Sequence, residues 1–346
     1  MNPESCLILY IGSQAQGSTS SHRVESLRRL GARVFVVDPE ESLASRLRFK
    51  NAFHYRTGYR WLQSSLLRAL AEDPELLELR PDLIWVNGGE MLGISVLKWL
   101  RSCFSCLIVL YQNDDPTGSR DGNRFVSLIR TLSFYDICVL VRPETELEVL
   151  ANGALRTVRV MMSYDEINHA PPSPQQISRP ESVVAFIGTL IQGEHRDDFL
   201  INLLQEGLPL RLFGNLWHRS RHWPLLQSIH QGPGLSGDAY AQALSTPAVA
   251  IGLLSHQNRD LITTRSLEIP ACGGLLCGER TSEHQLLYED GHEALLWASV
   301  DECISQCRKV LSDLSLRNEI CINGFRHIHQ VGVGNEDVCS QILAVI

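Results

Sequence analysis

The run Leu107-Ile-Val-Leu-Tyr111, with its counterparts LIWV (83–86) and ICVLV (137–141), decides the fold class. Each run is apolar at every position, the pattern of a strand covered on both faces. Outward from these three, the first half repeats one unit. β-type runs at 6–11, 33–37 and 158–161 alternate with helical patterns at 60–71, 93–101, 124–133 and 144–152. Gly31 and Gly153 stand where helices would end. This β-α-β alternation predicts a parallel, doubly wound sheet.

The stretch HAPPSPQQISRP (169–180) is the most proline-rich in the chain and can continue neither a helix nor a central strand, so it reads as a linker. After it the alternation restarts, with strands at 183–187, 210–213, 249–253, 275–277 and 294–297 and helices at 197–206, 239–244 and 266–272. The expected organisation is α/β: two Rossmann-like doubly wound parallel-sheet domains facing a cleft. Their bounds are 1–168 and 183–330, joined by a linker at 169–182, with a tail at 331–346 packing back on the first domain. Ligands of such sheets bind at the C-terminal ends of the strands.

Composition narrows the partners. The 346 residues are 44% apolar and 20% charged, the balance of a globular protein long enough for two cores. A formal net charge of −8 argues against a nucleic-acid partner, whose binding rests on clustered Lys and Arg. Glu4 stands where a signal peptide would carry a cation, and no run approaches the ~20 apolar residues of a membrane span. A cytoplasmic protein without a transmembrane segment is expected. The ten cysteines are scattered, and Cys103-Phe-Ser-Cys106 has no second pair, so buried thiols are expected over a zinc or redox site.

The loops after the strands carry the chemistry. Gly12-Ser13-Gln-Ala-Gln-Gly17-Ser18 lacks the lysine of a phosphate-binding P-loop, because Ser18 stands in its place. It remains a flexible turn that either presents backbone N–H groups or merely joins strand to helix. Asp114 and Asp115 follow the fourth strand, where adjacent acids serve as a base, bind hydroxyls or cap a turn; they are not D-x-D, so they do not form that metal clamp. In the second half Gly188-Thr189 follows a strand, and Arg196 opens the next helix, a place that suits an anion. His218 and His222 have the spacing of one helix face but no third ligand.

The richest segment is NRDLITTRSLEIPACGGLLCGE (258–279). Thr264 or Ser266 is placed to cap the helix there, leaving N–H groups and Arg265 to face a diphosphate. Glu268, one turn on, suits a ribose diol. Gly273-Gly274 ends the helix and lets the next strand pack closely. An ordinary capped helix with a solvated Arg–Glu pair has the same pattern.

At these residues the sequence resembles the CgeB-like, spore-maturation-type glycosyltransferases of the GT-B fold. FIGTL, LRLFG, LSGDAYAQALS and the run from Asn258 through YEDGHEALLWAS carry the resemblance, and NDDP and SYDEINHAP extend it loosely into the first half. It implies transfer of a sugar from a nucleotide-diphosphate donor, a UDP-sugar foremost, with no metal and no other cofactor and with retention of configuration. Retaining GT-B enzymes hold the donor with two acids eight positions apart, here Asp260 and Glu268, although the first is shorter by one methylene. The implied donor site is Gly188, Thr189, Arg196, Asn258, Thr264, Arg265, Glu268, Gly273 and Gly274. Asp260 or the Asn258 amide would orient the sugar. Asp114, Asp115 and Asp260 are the candidate catalytic residues, and the first two, with Gly12, Ser13 and Gly17, would lie on the side of an acceptor that is a glycan, a small molecule or a protein. Closure about the linker would exclude water. The rival expectations are a nucleotide-sugar epimerase and a non-catalytic binding protein of polysaccharide or coat assembly.

Overall fold

The computed structural model describes residues 1–47, 51–171 and 180–346. The chain forms two compact units. The first holds Met1–Met161, Gln257–Arg259 and Asn335–Ile346, and the second holds Met162–His256 and Asp260–Gly334. The division falls after Met161, where the sequence reading put it after residue 168, and the centre of the expected linker, 172–179, lies outside the described residues.

The first unit contains β1 (Leu7–Ile11), β2 (Arg33–Val37), β3 (Leu83–Asn87), β4 (Leu107–Gln112), β5 (Ile137–Leu140) and β6 (Thr157–Arg159). They form one parallel sheet in the order β2-β1-β3-β4-β5-β6. The helices α1 (Thr19–Arg29), α2 (Gln63–Ala71), α3 (Ile94–Cys103) and α4 (Pro143–Ala151) supply the cover. Leu66 and Leu70 of α2 and Val96, Leu97 and Leu100 of α3 share a core with Leu9, Ile84 and Ile108. Neighbouring strands carry an aromatic row on one face, Tyr10–Trp85–Tyr111, the second step diagonal, with ring centroids 6.5 and 6.2 Å apart. Fully apolar strands thus have packed layers on both sides, as their sequence requires.

The helix expected at 124–133 is instead a single turn, Val126–Ile129, followed by the 3-10 turn Leu132–Phe134. Thr131 Oγ1 returns to the carbonyls of Ser127 and Leu128, a side-chain bond that competes with helix continuation.

The second unit contains β7 (Glu181–Ile187), β8 (Leu210–Phe213), β9 (His230–Gly232), β10 (Pro247–Gly252), β11 (Leu276–Glu279) and β12 (Leu295–Trp297), parallel in the order β12-β11-β10-β7-β8-β9. Its helices are α5 (Arg196–Gln205), α6 (Gly237–Ser245), α7 (Thr264–Ala271), α8 (Val300–Ser312) and α9 (Leu314–Val331). β10, buried along its whole length, lies beside β7. Strand order reverses between β1 and β3 in the first unit and between β7 and β10 in the second. At such a point the following loops diverge to opposite faces and open a crevice.

The final helix, α10 (Asn335–Val345), belongs to the first unit and packs along α1. Arg29 pairs with Glu336, and the Met1 amino group donates to the Leu343 carbonyl at 2.6 Å. Among the described residues no helix is long and apolar enough to cross a membrane.

Candidate active site

The crevice between β7 and β10 is bordered by the start of α7. Thr263, rather than Thr264 or Ser266, is the N-cap, and its N–H donates to Ser266 Oγ at 3.2 Å. Ser266 Oγ also meets His284 Nε2 at 2.7 Å, while His284 Nδ1 lies 2.6 Å from the Glu279 carbonyl. A carbonyl only accepts, so Nδ1 carries the proton and Nε2 accepts from the serine. Burial, the larger influence, outweighs the bond to Glu279 and holds the His284 pKa below its ordinary value, which fits the neutral ring. Tyr288 Oη fixes the same turn by donating to the Ser266 carbonyl at 2.7 Å. The helix start is therefore rigid before any ligand arrives.

On this turn Arg265 and Glu268 meet two residues far away in sequence. Arg265 Nη1 donates to Glu268 Oε2 at 2.6 Å and to Tyr240 Oη, and its guanidinium lies 4.6 Å from the centre of the Tyr240 ring. Its Nε reaches the Ile187 carbonyl at 3.2 Å, at the end of β7. Nη2 has no partner among the described residues. Glu268 is buried and also accepts from Tyr240 Oη, while its second oxygen, Oε1, faces His169 Nε2 at 3.8 Å. The Asp165 N–H donates to His169 Nδ1 at 2.9 Å, which leaves the proton of the neutral ring on Nε2, toward Glu268. Burial alone would raise the Glu268 pKa, but Arg265 outweighs it and, with the Tyr240 hydroxyl, holds it below the usual range. The carboxylate is ionised and keeps Arg265 in place.

The loop after β7 completes the border. Its three successive carbonyls are all engaged: Ile187 by Arg265, Gly188 by Trp217 Nε1 at 2.8 Å, and Thr189 by Arg196 Nη1 at 3.1 Å. Acceptors that would repel an anion are thereby tied up. The residues beside it include Trp217, Trp223 and His230, which line a cavity of about 820 Å³ together with Thr189.

Residues 196–332, which run from α5 through α9, match the family described as glycosyl transferase-like. No curated protein matches the chain by sequence. Solved structures match it over nearly its full length. HepE from Anabaena, in complex with UDP and glucose, is 14% identical, with 98% of this chain and 99% of that chain covered and a TM-score of 0.64. Sucrose-phosphate synthase from Thermosynechococcus elongatus is 13% identical over 98% of each chain, with a TM-score of 0.65. An alpha-glucosyltransferase in complex with UDP is 11% identical over 99% of each, with a TM-score of 0.68. The architecture is GT-B. The matched family and these GT-B neighbours are glycosyltransferases.

Within this GT-B frame several residues chosen from sequence take other places. Gly273 and Gly274 sit at the far end of α7 from Arg265, about 12 Å away along the axis. The N–H of Gly273 bonds the Pro270 carbonyl and that of Gly274 the Ile269 carbonyl, the Schellman arrangement, with Gly273 left-handed at φ 76°. Their role is to end the helix. Arg196 is a strut, since its Nη2 donates to the Leu254 carbonyl at 3.0 Å while Nη1 holds Thr189. It joins the loops after β7 and β10 rather than presenting its charge.

Asn258 belongs to the first unit, where its Oδ1 accepts from the Asp115 N–H at 3.2 Å. Asp115 is buried and engaged by Arg259 Nε and Nη2 at 2.6 and 2.8 Å, by the N–H groups of Thr117 and Gly118 and by the Thr117 hydroxyl. Burial opposes its ionisation, yet Arg259 prevails and lowers its pKa. It anchors that arginine and is not placed as an open base. Asp114 pairs with Arg124 at 2.8 Å and Arg120 at 3.4 Å. Asp260, eight positions before Glu268, is buried with its N–H on the Ser255 carbonyl.

Gly12 and Ser13 border a small cavity of about 60 Å³ with Glu40, Asn87 and Glu90, at the reversal point of the first sheet. Gly17 lies beyond, left-handed at φ 73°, and Ser18 caps α1. His218 and His222 do not share a helix, because a 3-10 turn ends at Arg219 and a separate helix begins at Trp223.

Two members of the site went unnamed in the sequence. Tyr240 lies within LSGDAYAQALS, where a lone tyrosine on an apolar helical face was the available signal. His169 lies at the start of the proline-rich stretch, which reads as linker by composition and so conceals it.

Proposed function

We propose that the protein transfers a sugar from a nucleoside-diphosphate sugar, a UDP-sugar foremost, to an acceptor hydroxyl of a glycan, small molecule or protein. The observation that carries this reading is Arg265, locked at the N-terminus of α7 with Nη2 unengaged among the described residues, beside a loop whose carbonyls are occupied. Negative charge grows on the diphosphate as the sugar leaves. A fixed guanidinium and helix N–H groups stabilise that charge without reorganising. Glu268 Oε1 receives a ribose hydroxyl, and Asp260 orients the sugar. These residues supply the charge that a metal supplies elsewhere, which supports a metal-independent reaction with no further cofactor. UDP bound to the GT-B neighbours supports the choice of base. The CgeB-like resemblance of 258–291 supports retention of configuration. Cysteines that are all free support a reducing, cytoplasmic setting, where nucleotide sugars are made.

Thermal shift with UDP, GDP and ADP tests donor binding, since a ligand of the folded state alone raises the melting point. UDP should shift the parent and leave Arg265→Gln nearly unmoved, and equal shifts in both would overturn the site. Incubation of the donor without acceptor separates transfer from epimerisation. An isomeric nucleotide sugar would refute the transferase reading.

A further inference from the structure

Three cysteines converge in the core of the second unit. Cys277 comes from β11, and Cys303 and Cys307 come from successive turns of α8. All three are fully buried, and their sulfurs lie within 4.8 Å of one another, with Cys277 and Cys303 3.8 Å apart. Gln306 completes the group. Its Nε2 donates to the Leu296 carbonyl at 2.9 Å, which aims Oε1 at the thiols, 4.0 Å from Cys277 Sγ.

We propose that Cys277, Cys303 and Cys307 bind a soft d10 cation, of which Zn²⁺ is the divalent case, with Gln306 Oε1 as a fourth donor. Three sulfurs bound at about 2.3 Å to one ion stand roughly 3.7–4.0 Å apart, the separation already present between Cys277 and Cys303. Thiolate sulfur selects such ions over hard ones. Each thiol gives its proton to solvent as its sulfur takes the metal. The carbonyl that fixes the Gln306 amide plays the part of an outer partner orienting a ligand.

A cavity borders the same two elements. Cys277 and Glu279 share one face of β11, two residues apart, and Val300 and Cys303 share one face of α8. Glu279 and Val300, with Trp297 and Glu194, line a cavity of about 310 Å³. Cys277 thus lies about 6.6 Å back along the strand from Glu279.

The test uses the full chain with Cys103→Ser and Cys106→Ser, which removes an exposed and a half-buried thiol. Cd²⁺ titrated into the reduced protein should give ultraviolet thiolate-to-metal absorption that saturates at one ion per chain, and Zn²⁺ should displace it. Cys307→Ala should weaken Cd²⁺ binding at least tenfold, whereas Cys321→Ala, a buried cysteine outside the cluster, should not. Circular dichroism establishes that each variant is folded. Absence of the absorption, or unchanged affinity in a folded Cys307→Ala protein, would overturn the site. Should Cys307→Ala not fold, the background protein serves instead. Zn²⁺ should protect Cys277, Cys303 and Cys307 from alkylation in mild denaturant, read by mass spectrometry, and equal labelling with and without Zn²⁺ would refute the proposal.

Discussion

Replacing Arg265 with Ala separates what this residue does for the fold from what it does for the reaction. Glu268 is buried, and its main cation is Arg265 at 2.6 Å. Breaking a buried pair typically costs about 3–5 kcal/mol. Arg265 is 29% exposed on its side chain, so solvent screens part of the pair, and Tyr240 and His169 still face the carboxylate. The expected loss is therefore about 2–3 kcal/mol. In Arg265→Ala/Glu268→Gln the buried charge is gone, while the amide oxygen still accepts from Tyr240. What remains lost is chiefly the guanidinium over the Tyr240 ring, about 1 kcal/mol. At about 2–4 °C per kcal/mol for a unit of this size, the single variant should melt about 5–10 °C low and the double about 2–4 °C low. Turnover of a UDP-sugar should fall roughly 100- to 1000-fold in both, because neither stabilises the leaving diphosphate. Melting curves and initial rates on the same preparations read both effects. A single variant as stable as the double would refute the account of Glu268, and restored turnover in the double would refute that of Arg265.

Three further outcomes are expected. His256 lies between Glu194 (3.2 Å) and Glu279 (2.6 Å), one on each ring nitrogen; burial disfavours its charge, but Glu279 and Glu194 prevail and raise its pKa. Its contribution to stability is full below the unfolded histidine pKa and is lost as pH rises through the higher folded one. The melting advantage of the parent over His256→Gln should accordingly be greatest near pH 6 and vanish in mild alkali, and a pH-independent difference would refute the assignment. Arg259→Ala should destabilise the first unit by about 2 kcal/mol in urea titration, since buried Asp115 loses its cation but keeps several N–H and hydroxyl donors. Gly274→Ala, whose Cβ would stand 2.2 Å from the Leu244 carbonyl, should cost about 3 kcal/mol or more while the folded fraction still binds UDP; lost affinity in folded protein would return this glycine to the donor site.

The sheets were legible because their strands are written as continuous apolar runs, and β9 was not because His-Gln-Gly carries no such run. Arg265 and Glu268 were legible because both lie in one helical turn, where spacing fixes geometry. Tyr240 and His169 reach them from 25 and 96 residues before Arg265, and no local pattern records a meeting of that kind. The adjacent acids misled for a related reason. Asp114 and Asp115 look alike in sequence, but the second is claimed by Arg259, a residue 144 positions later. Asn258 was grouped with the helix that follows it because nothing in the sequence marks Gln257–Arg259 as part of the first unit.

That excursion bears on how such chains can be recombined. The first unit is assembled from three separate stretches, two of which are encoded after the start of the second unit. An exchange of halves at the proline-rich segment would import a foreign Arg259 and a foreign α10 into the recipient's own fold. A hybrid would then inherit an orphaned Asp115 and a mismatched Arg29–Glu336 pair unless both ends came from compatible parents. Crossovers that carry 257–259 and 335–346 along with residues 1–161 preserve the folding unit, and the donor segment can vary around them.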